Sequence, residues 1–70
     1  MDFTQKQAEL VELTMELDLK AKEYNMLCME LDELKKKNID ENDEQYILLR
    51  EKFAKNLEEI QNINQKLKDL

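Results

Sequence analysis

Seventy residues pass without a single glycine or proline. Compact folds with several chain reversals place Gly, Pro or Asn-Gly at their turns, where positive φ or a fixed φ is needed. A chain lacking both has few ways to turn, and the structure it forms most readily is the long helix. The residues that dominate, Glu, Lys, Leu, Gln, Met and Ala, are strong helix formers. Charged residues reach 40% and aromatics only 6%, a balance that would suit disorder. What decides against disorder is a regular apolar repeat.

The repeat has seven residues. With Leu10 as position a, the first half places Phe3, Leu10, Leu17, Tyr24 and Leu31 at a, and Lys6, Leu13, Lys20, Leu27 and Leu34 at d. Seven residues make two turns of a slightly underwound helix, so these side chains form one stripe. Lys6 and Lys20 interrupt it, although a lysine stem can lie along apolar surface while its ammonium reaches water. The second half places Ile39, Tyr46, Phe53, Ile60 and Leu67 at a, with Asn42, Leu49, Asn56, Ile63 and Leu70 at d.

The two repeats are out of phase. Leu34 to Ile39 is five residues where an unbroken repeat would have four, so one extra residue sits between them. The slip falls in Lys35 to Gln45, which reads KKKNIDENDEQ. Lys35, Lys36 and Lys37 suit a helix C-terminus, and Asn38, Asp40 or Asn42 would suit an N-cap. No Gly stands where a left-handed cap usually sits. A continuous helix with a solvated centre is therefore the first expectation, and a hairpin the alternative.

A rod of this kind, on the order of 100 Å long, cannot bury its stripe against itself. The fold class expected is all-α, a long helix forming a coiled coil, with a parallel homodimer as the leading arrangement. The alternative is an antiparallel coiled coil or a helical hairpin or bundle. In a parallel pair only Glu30 with Lys35 is clearly attractive among the g–e′ contacts. The antiparallel arrangement sets Glu9 against Lys66 and Glu23 against Lys52, faces Lys20 with Phe53 and opposes Glu16 to Glu59. Exposed pairs contribute only about 0.2–1 kcal/mol each, so charge alone favours neither strongly. Lys20 and Asn56 at d are the kind of polar core residues that fix register.

Catalytic chemistry has little to stand on. The chain has no His and no Ser, which excludes Ser/His and Cys/His nucleophile pairs, and without Gly there is no phosphate-binding glycine loop. Carboxylate pairs such as Asp32-Glu33 and Glu58-Glu59 lie on exposed helix faces, where nothing desolvates them. The expected protein is not an enzyme, and no cofactor or metal is expected. One segment deserves comparison with a calcium loop. Counting Asp40 as position 1 puts Asn42 at 3, Glu44 at 5 and Glu51 at 12, an atypical EF-hand-like arrangement over 40–51. Position 6 is Gln45, where the EF-hand needs Gly for its sharp turn. A calcium-responsive helix pair is thus the alternative function.

Cys28, the single cysteine, sits at e among Met26, Leu27, Met29 and Glu30, and reads as a small apolar flanking residue. Outside the seam, Ala8, Val11, Met15, Leu19, Met26 and Met29 widen the apolar face of the first half. Such width serves either a three- or four-helix assembly or an adaptable Met-rich contact with a partner. The net charge of −6, from 17 acidic and 11 basic residues, argues against a nucleic-acid or anionic-membrane ligand. No apolar run is long enough to insert in a membrane. The opening Met1-Asp2-Phe3 lacks the basic and apolar regions of a secretory signal, and a cytoplasmic location is expected.

Stretches such as LVELTMELDL and LEEIQNINQKL resemble the coiled-coil rods of cytoskeletal, motor and vesicle-tethering proteins. The resemblance covers the whole chain and rests on heptads alone. It implies a single coiled-coil segment over 1–70, with heptad blocks at 3–34 and 46–70 about the polar slip at 35–45. The implied function is homo-oligomerisation and binding of another helical protein, in scaffold, tether or cargo-adaptor duty. The expected interface is Leu10, Leu13, Leu17, Tyr24, Leu27, Leu31, Leu34, Ile39, Tyr46, Leu49, Phe53, Ile60, Ile63 and Leu67.

Overall fold

The computed structural model describes residues 2–70, with side chains from residue 4 onward. Two helices account for nearly all of it: α1, Asp2–Lys36, and α2, Glu44–Lys68. There is no strand among the described residues. The helices pack against each other along an elongated body of 56 × 15 × 13 Å. That length is about what 35 residues of helix span at ~1.5 Å each, so the chain runs out along α1 and returns along α2. The continuous rod is not what forms. The chain is an antiparallel helical hairpin.

The reversal is built without glycine. Asn38 takes the left-handed conformation, φ 57°, directly after α1. The N–H of Asn38 donates to the carbonyl of Lys35 (3.1 Å), and the N–H of Ile39 reaches back to the carbonyl of Leu34 (3.2 Å). These are the two bonds of a Schellman cap, with Asn38 at the C′ position that Gly more often fills. Asn tolerates that conformation better than other residues with a Cβ. Ile39 then packs onto the cluster containing Leu34, the apolar contact that accompanies this cap. Lys35 and Lys36 in the last turn of α1 complement the helix dipole.

Two aspartates complete the turn. Asp40 Oδ1 accepts from the N–H of Asn42 (3.0 Å), and the N–H of Asp43 donates to the carbonyl of Asp40 (2.9 Å). Asp43 is the N-cap of α2, its Oδ1 accepting from the N–H of Gln45 at 2.9 Å. Of the three N-cap residues considered from sequence, none is the one used. Asn38 caps the preceding helix, Asp40 shapes the turn, and Asn42 lies just outside α2.

The core is thin. Leu27, Leu34, Tyr46 and Leu49 form one buried cluster near the turn, with Leu31, Ile39 and Phe53 packed against it. Ile63 is buried separately, toward the open end. No described side chain is wholly withdrawn from solvent, as expected when only two helices meet.

Candidate interaction surface

The residues expected at an interface lie unequally along the contact between α1 and α2. At d, Leu27, Leu34, Leu49, Asn56 and Ile63 are buried, and Leu13 and Lys20 are half-buried. At a, only Tyr46 is buried; Leu17, Leu31, Ile39, Phe53, Ile60 and Leu67 are half-buried. Leu10 and Tyr24 remain exposed, and so does Leu70. The side chain of Phe3 lies outside the described residues. One partner helix covers a narrow stripe, and here the d residues occupy its centre while the a residues lean to one flank.

The register differs from the antiparallel pairing drawn from charge. Asn56, not Phe53, lies across from Lys20: its Nδ2 donates to the Lys20 carbonyl at 3.1 Å and to Glu23 Oε2 at 3.3 Å. Phe53 meets Tyr24 instead, edge to face, with ring centroids 5.6 Å apart. Thus d meets d′ and a meets a′, where a had been expected opposite d′. Neither Glu9–Lys66 nor Glu23–Lys52 forms an ion pair among the described residues.

What replaces them is a polar layer across the middle of the hairpin. Lys20 Nζ lies 3.1 Å from Glu59 Oε2 and 3.4 Å from Glu23 Oε2. The hydrogen bond that the Lys20 ammonium donates to Glu59 is the main reason it is held above its ordinary pKa, with the charges of Glu23 and Glu59 adding to it against a desolvation effect of opposite sign. Asn56 is only 3% exposed, and its Oδ1 finds no hydrogen-bond partner among the described residues. An unpaired buried acceptor costs about 1–3 kcal/mol, so this layer opposes stability even as it matches polar groups with one another.

The segment Asp40–Glu51 does not have the form of a calcium loop. Asp40 and Asp43 each turn a carboxylate oxygen to the backbone of the turn, and residues from Glu44 onward are helical. Gln45, in the place of the loop glycine, is therefore in α2, and Glu51 follows nearly two turns later. No group of three or more His, Cys, Asp or Glu side chains is positioned to hold a metal ion among the described residues. Cys28 is a free thiol, half-buried beside the seam.

The outer side of α1 carries the surface that the seam does not explain. Val11, Met15, Leu19, Met26 and Met29 are all well exposed. At 100° per residue they fall within a quarter-turn arc outside the seam, with Met26 and Met29 also bordering the grooves between α1 and α2. Apolar residues thus run along two sides of one helix. On α2, Ile47, Leu48 and Leu57 are exposed as well. No described helix is long and apolar enough to cross a membrane. Comparison with protein-family models, curated proteins and solved structures finds no match to this chain.

Proposed function

We propose that this hairpin is a structural and interaction module that works by binding other helices, a second copy of itself first among them. The observation that supports it is the exposed apolar surface left after α1 and α2 have closed on each other. Val11, Met15, Leu19, Met26 and Met29 share one face of α1 in water, and contiguous exposed apolar patches mark interaction sites. Unbranched methionine adapts to the shape of a partner, which suits scaffold, tether or adaptor duty.

A parallel homodimer of extended rods would have to open the hairpin, breaking the Asn38 cap and exposing the Leu27–Leu34–Tyr46–Leu49 cluster. Association of closed hairpins keeps both. Sedimentation equilibrium of the purified chain at micromolar concentration tests the reading. A concentration-dependent mass above that of one 8.5 kDa chain is expected. A helical species that stays monomeric throughout would overturn it.

A further inference from the structure

The two flanks of the hairpin differ in chemistry. One flank is lined by the g positions: Glu9, Glu16, Glu23 and Glu30 on α1, with Gln45, Lys52, Glu59 and Lys66 on α2. Its groove near the turn is lined by Met29, Leu34, Leu48 and Leu49, but also by Glu30, Glu33, Lys37 and Lys52, and a helix laid there would have to desolvate these charges. The other flank is lined by the e positions: Thr14, Ala21, Cys28 and Lys35 on α1, with Arg50, Leu57 and Asn64 on α2. From Leu10 to Leu31 and from Tyr46 to Leu67, neither a nor e holds an acidic residue. This is also the flank toward which the half-buried a residues lean. A cavity of about 240 Å³ opens there near the turn, lined by Leu31, Tyr46, Leu49 and Phe53 together with Lys35, Glu41 and Arg50.

Apolar residues at a and d together with small or apolar ones at e are the pattern of a helix facing the centre of a bundle, broader than a two-stranded seam. The area agrees. A compact monomer of 8.5 kDa exposes about 4,700 Å² by the usual size scaling. This hairpin exposes 5897 Å², an excess of about 1,200 Å². A standard protein interface buries about 800 Å² on each partner, so one such contact would remove most of the excess.

We infer that a second copy of this chain docks across the a/e flank, so that two hairpins complete a four-helix bundle. The inference rests on the proposed helix-binding role and adds the face and the occupant. Charge selects both. Each chain carries a net charge of −6, and like charges opposed across an interface weaken it. Two identical copies therefore meet where acidic residues are missing. Thr14, Ala21 and Cys28 let the backbones approach, and Leu57, Leu10 and Tyr24, exposed in the single hairpin, become part of the shared core. The Val11–Met15–Leu19 side of α1 faces outward in this assembly and stays open to a different partner.

The test compares substitutions on the two apolar surfaces by sedimentation equilibrium, with helicity followed by circular dichroism. Ala21→Glu and Leu57→Glu alter exposed e positions and place like charges opposite each other in the dimer. Each is expected to raise the dimer dissociation constant at least ~100-fold without loss of helicity. Met15→Glu, on the outer face, is expected to leave it within about threefold of the parent. Maleimide labelling of Cys28 in the unaltered chain gives a second readout that needs no substitution. Its rate should fall as concentration rises through the dissociation constant. A dimer that survives Ala21→Glu and Leu57→Glu but dissociates with Met15→Glu, or a Cys28 labelling rate independent of concentration in a chain that dimerises, would overturn the docking face and leave the helix-binding role standing. A parent chain that stays monomeric would overturn both.

Discussion

Leu49 and Leu57 are separated by two turns of the same helix, and truncating each in turn measures how much of the fold depends on the seam. Leu49 is 4% exposed and belongs to the main cluster; Leu57 is 53% exposed. Leu→Ala removes three carbon groups, which at about 0.8 kcal/mol per buried group is roughly 2.4 kcal/mol in transfer alone. A cavity contribution normally adds to this and carries the range to about 5 kcal/mol. Here it should be small, because grooves border Leu49 on both flanks and its neighbours can close over the gap. Leu49→Ala is therefore expected to cost about 2–3 kcal/mol, and Leu57→Ala within about 0.5 kcal/mol at concentrations where the chain is monomeric. A two-helix core of this size rarely supplies more than ~3–5 kcal/mol in all. Leu49→Ala should thus sit near its unfolding midpoint without denaturant. Urea titration followed at 222 nm gives both values. Equal costs at the two positions, or a larger one at Leu57, would refute the seam described above.

At the turn, Asn38→Ala is expected to lose up to about 1 kcal/mol, because alanine keeps the Cβ but not the short polar side chain that helps asparagine tolerate the left-handed region, whereas Asn38→Gly should be neutral or slightly stabilising in thermal melts. Asp43→Ala removes the N-cap of α2 and should cost about 0.5–2 kcal/mol by the same measurement. Asn56→Leu should raise the melting temperature by a few degrees, since relief of the unpaired Oδ1 and burial of a leucine outweigh two lost hydrogen bonds by roughly 1 kcal/mol. Lys20 titrates higher in the folded chain than in the unfolded one. Its stabilising contribution is complete below the ordinary lysine value of 10.5 and is lost as pH rises through the folded-state value. The melting temperatures of the parent and Lys20→Gln should accordingly differ by a constant amount up to about pH 9 and converge above pH 10.5.

The helices and their inward faces were legible because a seven-residue apolar period reports which side of a helix is buried, whatever lies against it. Leu27, Leu34, Leu49 and Ile63 stand out on that basis alone. The reversal was visible but misread. The five-residue step from Leu34 to Ile39 looked like a slip in a continuous helix. It is the spacing of a Schellman cap, whose bond runs from the Ile39 N–H to the Leu34 carbonyl and whose apolar contact joins the same two residues. An asparagine followed by an isoleucine, placed after three lysines, was the signal, and the missing glycine obscured it. The register was beyond reach of charge counting, because exposed ion pairs contribute too little to separate one alignment from another.

The polar layer supplies that discrimination. Sliding α2 by one heptad along α1 would still set some apolar d residues against each other in one direction, and none in the other. In one direction Leu34 would face Leu49; in the other Leu13 would face Asn56 and Leu27 would face Asn42. What changes at the centre is that Asn56 would lie beside Leu27 or Leu13, and Lys20 beside Ile63 or Leu49. The amide would then forfeit its bonds to the Lys20 carbonyl and Glu23, leaving a buried donor unpaired at about 1–3 kcal/mol. That is a large share of the stability such a hairpin can have. Lys20 and Asn56 weaken the seam in absolute terms, and for the same reason only one alignment brings them together with Glu23 and Glu59. A fixed register in turn keeps Thr14, Ala21 and Cys28 of α1 level with Arg50, Leu57 and Asn64 of α2, which an apolar seam alone would not do.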